Sequence, residues 1–484
     1  MNFKMMGRFH ALILAIEAVF MLPALIISLA DGNQKTSFAF VISIVATALV
    51  AALFAVMSRG AKRDFYAREG LICVGSSWIV ISLFGCLPFL ISGEIPRFID
   101  ALFEIVSGFT TTGASIVANV EGLSRGILYW RSFSHWLGGM GVLVFLLALL
   151  PVGGRNEGFT LHLFRAESPG PEVGKLVPSL RKTARVLYLT YIALTVLNFL
   201  FLIVGDMPVF DAICTAFGTA GTGGFGIKND SIASYSPYIQ NVCTVFMLLF
   251  GINFSCYYLL LLGKVKSVLR DTELRLYFGL FLGTVTLIAL NTNSMYGSVG
   301  ETIRHAAFQV ASLITSTGFA TVDFDLWPSF SKALLLMLMV VGACAGSTGG
   351  GMKCARVLLL FKNLKRNISR ILHPQKVQVV RMGEKTVDEK TVANTGAYLA
   401  AYMFILIFSV LLLSLDGFSF ETNFSSALSC FNNMGPGLDA TGPTCNYSSF
   451  SVLSKCVLIL DMLAGRLEIF PILILFDFHA WRKK

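Results

Sequence analysis

The residues of this chain whose types and spacing suit chemistry are glycines flanked by hydroxyl and amide side chains, rather than acids set beside histidines. In residues 100–115 (DALFEIVSGFTTTGAS) a short apolar run leads to Thr111, Thr112 and Gly113. In 211–226 (DAICTAFGTAGTGGFG) it leads to Ala220, Gly221, Thr222 and Gly223. In 305–320 (HAAFQVASLITSTGFA) it leads to Thr315, Ser316, Thr317 and Gly318. In 422–437 (TNFSSALSCFNNMGPG), the least typical copy, it leads to Asn432, Asn433, Met434 and Gly435. Anchored on Gly113, Gly223, Gly318 and Gly435, the unit recurs about every hundred residues, which marks an internal repeat. Glycine permits the torsions of a tight turn and lets backbone approach a ligand. Rings of backbone carbonyls replace the hydration shell of an ion in selective pores. The chemistry that suits this pattern is coordination of a dehydrated cation.

A fifth glycine cluster, GACAGSTGGG at 342–351, contains Gly342, Gly346, Ser347, Thr348, Gly349, Gly350 and Gly351. Each glycine costs about 1 kcal/mol relative to alanine in a helix, so continuous helix is not expected. A phosphate-binding loop is the competing reading, but Met352 separates Gly351 from Lys353 and no strand precedes the segment. A flexible intramembrane loop fits better; a glycine kink packed against a neighbour is the plainer alternative. Arg466 lies inside the last apolar run, where a charge faces a cavity or a partner. Neither Asp461 nor Glu468 shares its helical face well. Glu104 and His135 read as packing or hydrogen-bonding groups; Glu17 and Asp461 receive no role.

The elements that must position these groups are set by composition. Of 484 residues, 55% are hydrophobic and 14% charged, against roughly 25% charged in soluble domains. The mean hydropathy is +0.72. That excludes an ordinary soluble enzyme, a disordered chain and a nucleic-acid binder, despite the net charge of +10. A helix needs about 20 apolar residues to cross a bilayer. Ten runs qualify: 11–30, 37–58, 71–92, 133–151, 186–205, 239–262, 276–291, 333–360, 395–415 and 453–476, of which 276–291 is short and 333–360 interrupted. The first is read as a membrane helix rather than a signal peptide, because it is long for an h-region and no small-residue cleavage site follows. With the N-terminus inside, most Lys and Arg fall in the inside segments, including those from Lys353 to Lys390 and Arg482, Lys483 and Lys484. Both termini are thus predicted cytoplasmic. The ten cysteines show neither metal spacing nor a clear disulfide framework.

The four repeated segments are too short to span. A helix that enters without crossing is re-entrant, and its turn must be buried in protein or line a water-filled cavity. Four such turns around one axis make a ring, with each short helix pointing its negative C-terminal end inward. Asp100, Asp211 and Glu421 stand near the opposite ends, where carboxylates complement the dipole. The third copy, with Arg304 and His305 there, departs from the rule.

Seven motifs carry a resemblance over the whole chain: SGFTTTGAS (107–115), HWLGGMGVLVF (135–145), FGTAGTGGFG (217–226), ITSTGFATVDF (314–324), GACAGSTGGGMK (342–353), FNNMGPG (431–437) and GRLEIFP (465–471). The chain resembles the Trk/Ktr/HKT superfamily of potassium uptake proteins, and within it the bacterial TrkH type of membrane subunit, which the two helices before the first repeat favour. The resemblance implies an all-α polytopic membrane protein, with four pseudo-symmetric helix–pore-helix–filter–helix repeats around one pore. Two N-terminal helices (1–68) would precede repeats at 69–155, 156–270, 271–392 and 393–484. It implies a filter of Thr111 to Gly113, Ala220 to Gly223, Thr315 to Gly318 and Asn432 to Gly435. Gly113, where plant sodium transporters have serine, argues for potassium. The loop 342–353 would obstruct the pore below the filter, with Arg466 beside it as part of the gate. Potassium would be the substrate, with no organic cofactor in this chain. The resemblance further implies a homodimer in the bacterial inner membrane and a cytosolic TrkA-type partner that binds nucleotide. The segment 353–392, long for a connection, is the candidate dock. A gated channel-like path and a proton-coupled symporter both remain open. A membrane enzyme is disfavoured, since no HExxH or GxSxG motif is present.

Overall fold

The computed structural model describes residues 2–60, 67–139, 141, 180–375, 378–383 and 385–481. Among these the ordered structure is helical, apart from one small ladder pairing Arg381 with Thr386 and Met382 with Lys385. Among the described residues six helices are long and apolar enough to cross a membrane: Phe3–Ala30, Gln34–Met57, Arg68–Ser92, Ala184–Val204, Thr272–Met295 and Glu389–Asp416. Pro237–Phe250 and Phe254–Leu261 make a seventh if counted together, bent by 88° at the break.

The remaining apolar runs are interrupted or incompletely described. The run from 333 is split into Ser329–Val341 and Cys354–Leu372 by the glycine segment. The run from 453 is split into Val452–Arg466 and Phe470–Phe476, where Glu468 and Ile469 both have positive φ (59° and 67°). The run from 133 begins within Arg125–Gly139, and residues 142–151 lie outside the described residues, as do Arg155, Arg165 and Lys175. The run at 276–291 is not short. Its helix starts at Thr272, because the side chain of Asp271 accepts from the Leu274 N–H (2.9 Å) and caps it.

Packing of the spans follows the physics of a lipid solvent. In Gln34–Met57, small residues at four-residue intervals (Ala39, Ser43, Thr47, Ala51) face inward, while Phe38, Val45, Leu49 and Leu53 are exposed. Small side chains let helices approach where no hydrophobic force drives them together. The inward hydroxyls are satisfied within the helix: Ser43 donates to the Ala39 carbonyl (2.8 Å) and Thr47 to that of Ser43 (2.7 Å).

Four short helices stand between the spans: Phe98–Phe109, Val209–Gly221, Val299–Ile314 and Phe420–Phe431. At 1.5 Å per residue a twelve-residue helix reaches only about 18 Å, well under a bilayer core of about 30 Å. The third begins earlier than expected, at Val299, with the Ser298 side chain accepting from the Glu301 N–H (3.2 Å). Glu301, not Arg304 or His305, occupies its first turn, so the third copy obeys the charge rule after all. The other first-turn acids are anchored: Asp100 to Lys455 (2.7 Å), Asp211 by the Tyr235 hydroxyl (2.8 Å) and Glu421 to Lys332 (3.4 Å).

Candidate functional site: four glycine turns and the loop packed on them

Each short helix ends in the same way. One residue turns left-handed: Thr111 (φ 55°), Thr222 (53°), Ser316 (56°) and Asn433 (54°). The next residue donates its N–H to the carbonyl five positions back: Thr112 to Ser107 (2.9 Å), Gly223 to Gly218 (2.9 Å), Thr317 to Ser312 (2.8 Å) and Met434 to Ser429 (3.0 Å). That bond closes a helix-terminating motif. A glycine with φ of 80°, 78°, 84° or 89° follows: Gly113, Gly224, Gly318 and Gly435. The equivalent glycine in the second copy is therefore Gly224, and the sequence anchor on Gly223 is one residue early. The left-handed residue sets the register, and in the second copy a glycine stands on both sides of the boundary, which hides the register from the sequence.

The four turns close on one another. A β-carbon on Gly113 would strike the carbonyl oxygen of Gly223; on Gly224, that of Thr317; on Gly318, that of Met434; and on Gly435, that of Thr112. The series is cyclic, and in every member the obstructing atom is the carbonyl just before the next glycine. Side chains brace the ring from behind. Thr110 and Thr112 share a hydrogen bond (2.8 Å), as do Thr315 and Thr317 (2.7 Å). Asn432 donates to the Tyr402 hydroxyl (2.8 Å), and Asn433 to Thr112 Oγ1 (3.0 Å), which joins the fourth turn to the first. Ala220 and Gly221 end the second helix, and the Thr222 hydroxyl donates to the Gly221 carbonyl (2.6 Å). A cavity of about 110 Å³ opens on the ring, lined by Gly113, Gly224, Gly318 and Gly435 together.

The glycine segment lies against the third and fourth of these turns. Gly350 donates its N–H to Ser316 Oγ and Gly351 to the Asn432 carbonyl (3.0 Å); a β-carbon on Gly349 would meet the Thr315 carbonyl at 2.8 Å. Gly342 (φ 70°) and Gly351 (φ 79°) bring the two ends of the segment together. On its other side the segment engages the broken helix of the second copy. The Phe254 N–H donates to Gly346 (3.0 Å), Cys344 N–H to Gly251 (3.1 Å) and the Thr348 hydroxyl to Phe250 (3.2 Å). The Ser347 hydroxyl donates to Cys344 (2.6 Å). Arg466 donates to Thr348 (3.1 Å), to Gly139 (2.7 Å) and to Gly138, all at backbone carbonyls.

Two further groups hold this loop, and sequence reasoning passed over both. Glu273 is buried, and one of its oxygens accepts from Ala345 N–H (2.6 Å) and Ala355 N–H (3.0 Å), spanning the segment. Its signal was an acid at the head of a membrane run, a placement that is expensive without a role. Lys353, read as an inside-loop charge, is instead buried with φ 75° and donates to the Gly349 carbonyl. Arg356, counted with the same charges, pairs with Glu468 beneath the Tyr398 ring (4.1 Å).

Glu104 and His135 are hydrogen-bonding groups, as the sequence suggests. Glu104 accepts from the Ser115 hydroxyl (2.9 Å), Ile116 N–H (2.9 Å) and Arg131 (2.7 Å). His135 bridges the Gly108 carbonyl (2.8 Å) and Phe225 N–H (3.2 Å). Asp461 accepts from the Ser409 hydroxyl (2.7 Å) through one oxygen, and among the described residues the other, like both oxygens of Glu17, has no partner.

An all-α integral membrane protein, with broken spans meeting four short helices at a ring of carbonyls, is the class that this architecture defines. Residues 36–480 match the family model TrkH, described as a cation transport protein, and the chain belongs to that family. It is 37% identical over 433 residues, 88% of each chain, to the Trk system potassium uptake protein TrkH of Salmonella typhimurium. It is 35% identical to TrkG of Escherichia coli K12, a Trk system potassium uptake protein, over 96% of this chain and 95% of that one. The crystal structure of the potassium transporter TrkH from Vibrio parahaemolyticus superimposes with a TM-score of 0.88, at 31% identity and over 100% of both chains.

Proposed function

We propose that this chain takes up potassium across the bacterial inner membrane, as the membrane subunit of a Trk-type system, through a selective, gated, channel-like pore. The observation that carries the reading is the cyclic series of ring glycines, each lying against the carbonyl that precedes the next. Carbonyl dipoles fixed around one axis replace the water of a dehydrated cation. Thr112, Gly223, Thr317 and Met434 supply the carbonyls before the glycines, and Thr111, Thr222, Ser316 and Asn433 those one step inward. The chain's four repeats, at 69–155, 156–270, 271–392 and 393–484, each give one side of the ring. The glycine loop, seated on Ser316 and Asn432 and tied by Arg466 to the wall, is the gate in its closed position. Both termini are cytoplasmic. The names of the relatives support potassium as the substrate and a multi-component system. The chain acts as a homodimer with a TrkA-type cytosolic partner, which carries the nucleotide. The docking region is 353–392, whose helix Cys354–Leu372 exposes Phe361, Leu364, Ile368 and Ile371.

The test is rubidium-86 uptake into proteoliposomes driven by a potassium gradient, with competition by potassium, sodium and protons. Uptake blocked by potassium, little affected by sodium and indifferent to a pH gradient is expected. A second reading, proton-coupled symport, is favoured by one observation. Asp461 is buried next to Met462, whose carbonyl accepts from Asn433 of the fourth turn (2.8 Å). Uptake that requires a proton gradient, and loses that requirement in Asp461→Asn, would replace the first reading by the second.

A further inference from the structure

The four turns do not fill the space behind the ring alike. At the position before the ring glycine, the first and third carry Thr112 and Thr317, bonded to Thr110 and Thr315. The fourth carries Met434, fully buried. The second carries Gly223, and two residues earlier Gly221, so it has no side chain there. That space is occupied from another repeat by His135, on the helix Arg125–Gly139. A β-carbon on Gly223 would fall within the imidazole, and one on Gly221 would strike the His135 carbonyl.

The imidazole is held in one orientation. The Phe225 N–H donates to Nε2 (3.2 Å), so Nε2 is the unprotonated acceptor. Nδ1 then carries the proton and donates to the Gly108 carbonyl (2.8 Å) of the first short helix. The Phe225 ring packs on the imidazole with centroids 4.2 Å apart, and the Arg131 guanidinium lies 4.2 Å from the centroid of that same phenyl ring. His135 is fully buried.

We infer that His135 is a positioning residue for the ring: its imidazole takes the place of the missing second-turn side chain and fixes the Gly223 carbonyl. Discrimination of potassium from sodium therefore depends on a residue that touches no ion. This rests on reading the ring as the selectivity filter. It also explains why the second copy alone has three glycines at 221, 223 and 224. The first two make room for His135, and the third makes room for the Thr317 carbonyl.

The experiment compares the full-length chain with H135A, G223T, the double variant H135A/G223T, and G318A as a control, in proteoliposomes. The readout is the potassium-to-sodium permeability ratio from reversal potentials. H135A removes two hydrogen bonds, and the ratio should fall about tenfold or more. G223T should lower it too, because the new side chain enters the imidazole. The double variant should recover to within about threefold of the parent, because threonine occupies the vacated volume and its hydroxyl can serve the freed Gly108 carbonyl or Phe225 N–H, as leucine cannot; such reciprocal rescue is a coupling that simple destabilisation does not give. Should H135A not be recovered folded, H135Q and H135L replace it. Gln reproduces both hydrogen bonds and keeps the ratio, whereas Leu fills space without them and lowers it. Equal ratios for those two, or a double variant no better than H135A, overturn the inference. An unchanged ratio in H135A with a lowered ratio in G318A overturns it while leaving the filter reading intact. An unchanged ratio in G318A overturns the filter reading itself, and this inference with it.

Discussion

Replacing Arg466 by alanine separates what holds the loop from what holds the wall. Among the described residues its guanidinium reaches the carbonyls of Gly138 and Gly139, which belong to the helix Arg125–Gly139, and of Thr348, which belongs to the loop. Only an interaction that differs between the seated and withdrawn loop can bias that equilibrium. The wall bonds are lost in both states and cost stability; the Thr348 bond is lost from the seated state alone. A hydrogen bond to a charged group contributes about 1.5–3 kcal/mol. Its removal should therefore raise the withdrawn-to-seated ratio by about 10- to 150-fold. The assay is basal rubidium-86 uptake by this chain alone, without partner or nucleotide, beside a melting curve to show that the variant is folded. Uptake should rise about tenfold or more in Arg466→Ala. Arg466→Lys, which keeps the charge but loses the planar fork, should give a smaller rise. A folded Arg466→Ala protein with uptake at or below that of the parent would refute the latch.

Three other perturbations follow from the same geometry. Glu273→Ala leaves the N–H groups of Ala345 and Ala355 without their acceptor, at a cost of about 1–3 kcal/mol each; basal uptake should rise and the melting temperature fall. Glu273→Gln, which keeps an oxygen where both bonds converge, should behave close to the parent, and equal effects of the two would count against the clasp. Gly113→Ser should lower the potassium-to-sodium permeability ratio, because any β-carbon there displaces the Gly223 carbonyl; Gly279→Ala, with open space around it, should leave the ratio unchanged. Deleting Gly346–Gly350 should raise basal flux, since it removes Gly350, bonded to Ser316, and Thr348, bonded to Arg466, and unaltered flux would sink the gating role.

The sequence by itself determined six of the ten expected membrane spans, the four short helices and the approximate position of each glycine turn. These depend on properties that act locally: run length against bilayer thickness, an acid in the first turn of a short helix, and glycine where a left-handed torsion is needed. Glu301 shows where the local signal was misread, since the capping serine lay outside the segment chosen for the third copy. Tertiary structure alone decided the register of the second turn. There Gly221, Gly223 and Gly224 offer several places for a glycine, and the choice is made by what packs against each: the His135 backbone, the His135 ring and the Thr317 carbonyl. It alone revealed that Arg466 meets backbone carbonyls rather than an acid near it in sequence, with partners more than a hundred residues away. It alone turned Glu273, to which no role was given, and Lys353, read as an inside-loop charge, into loop contacts. Carbonyls carry no sequence signature, because every residue has one. Which of them converge in a ring, on a guanidinium or on an imidazole is fixed by the packing of segments distant in sequence, and only the folded chain records it.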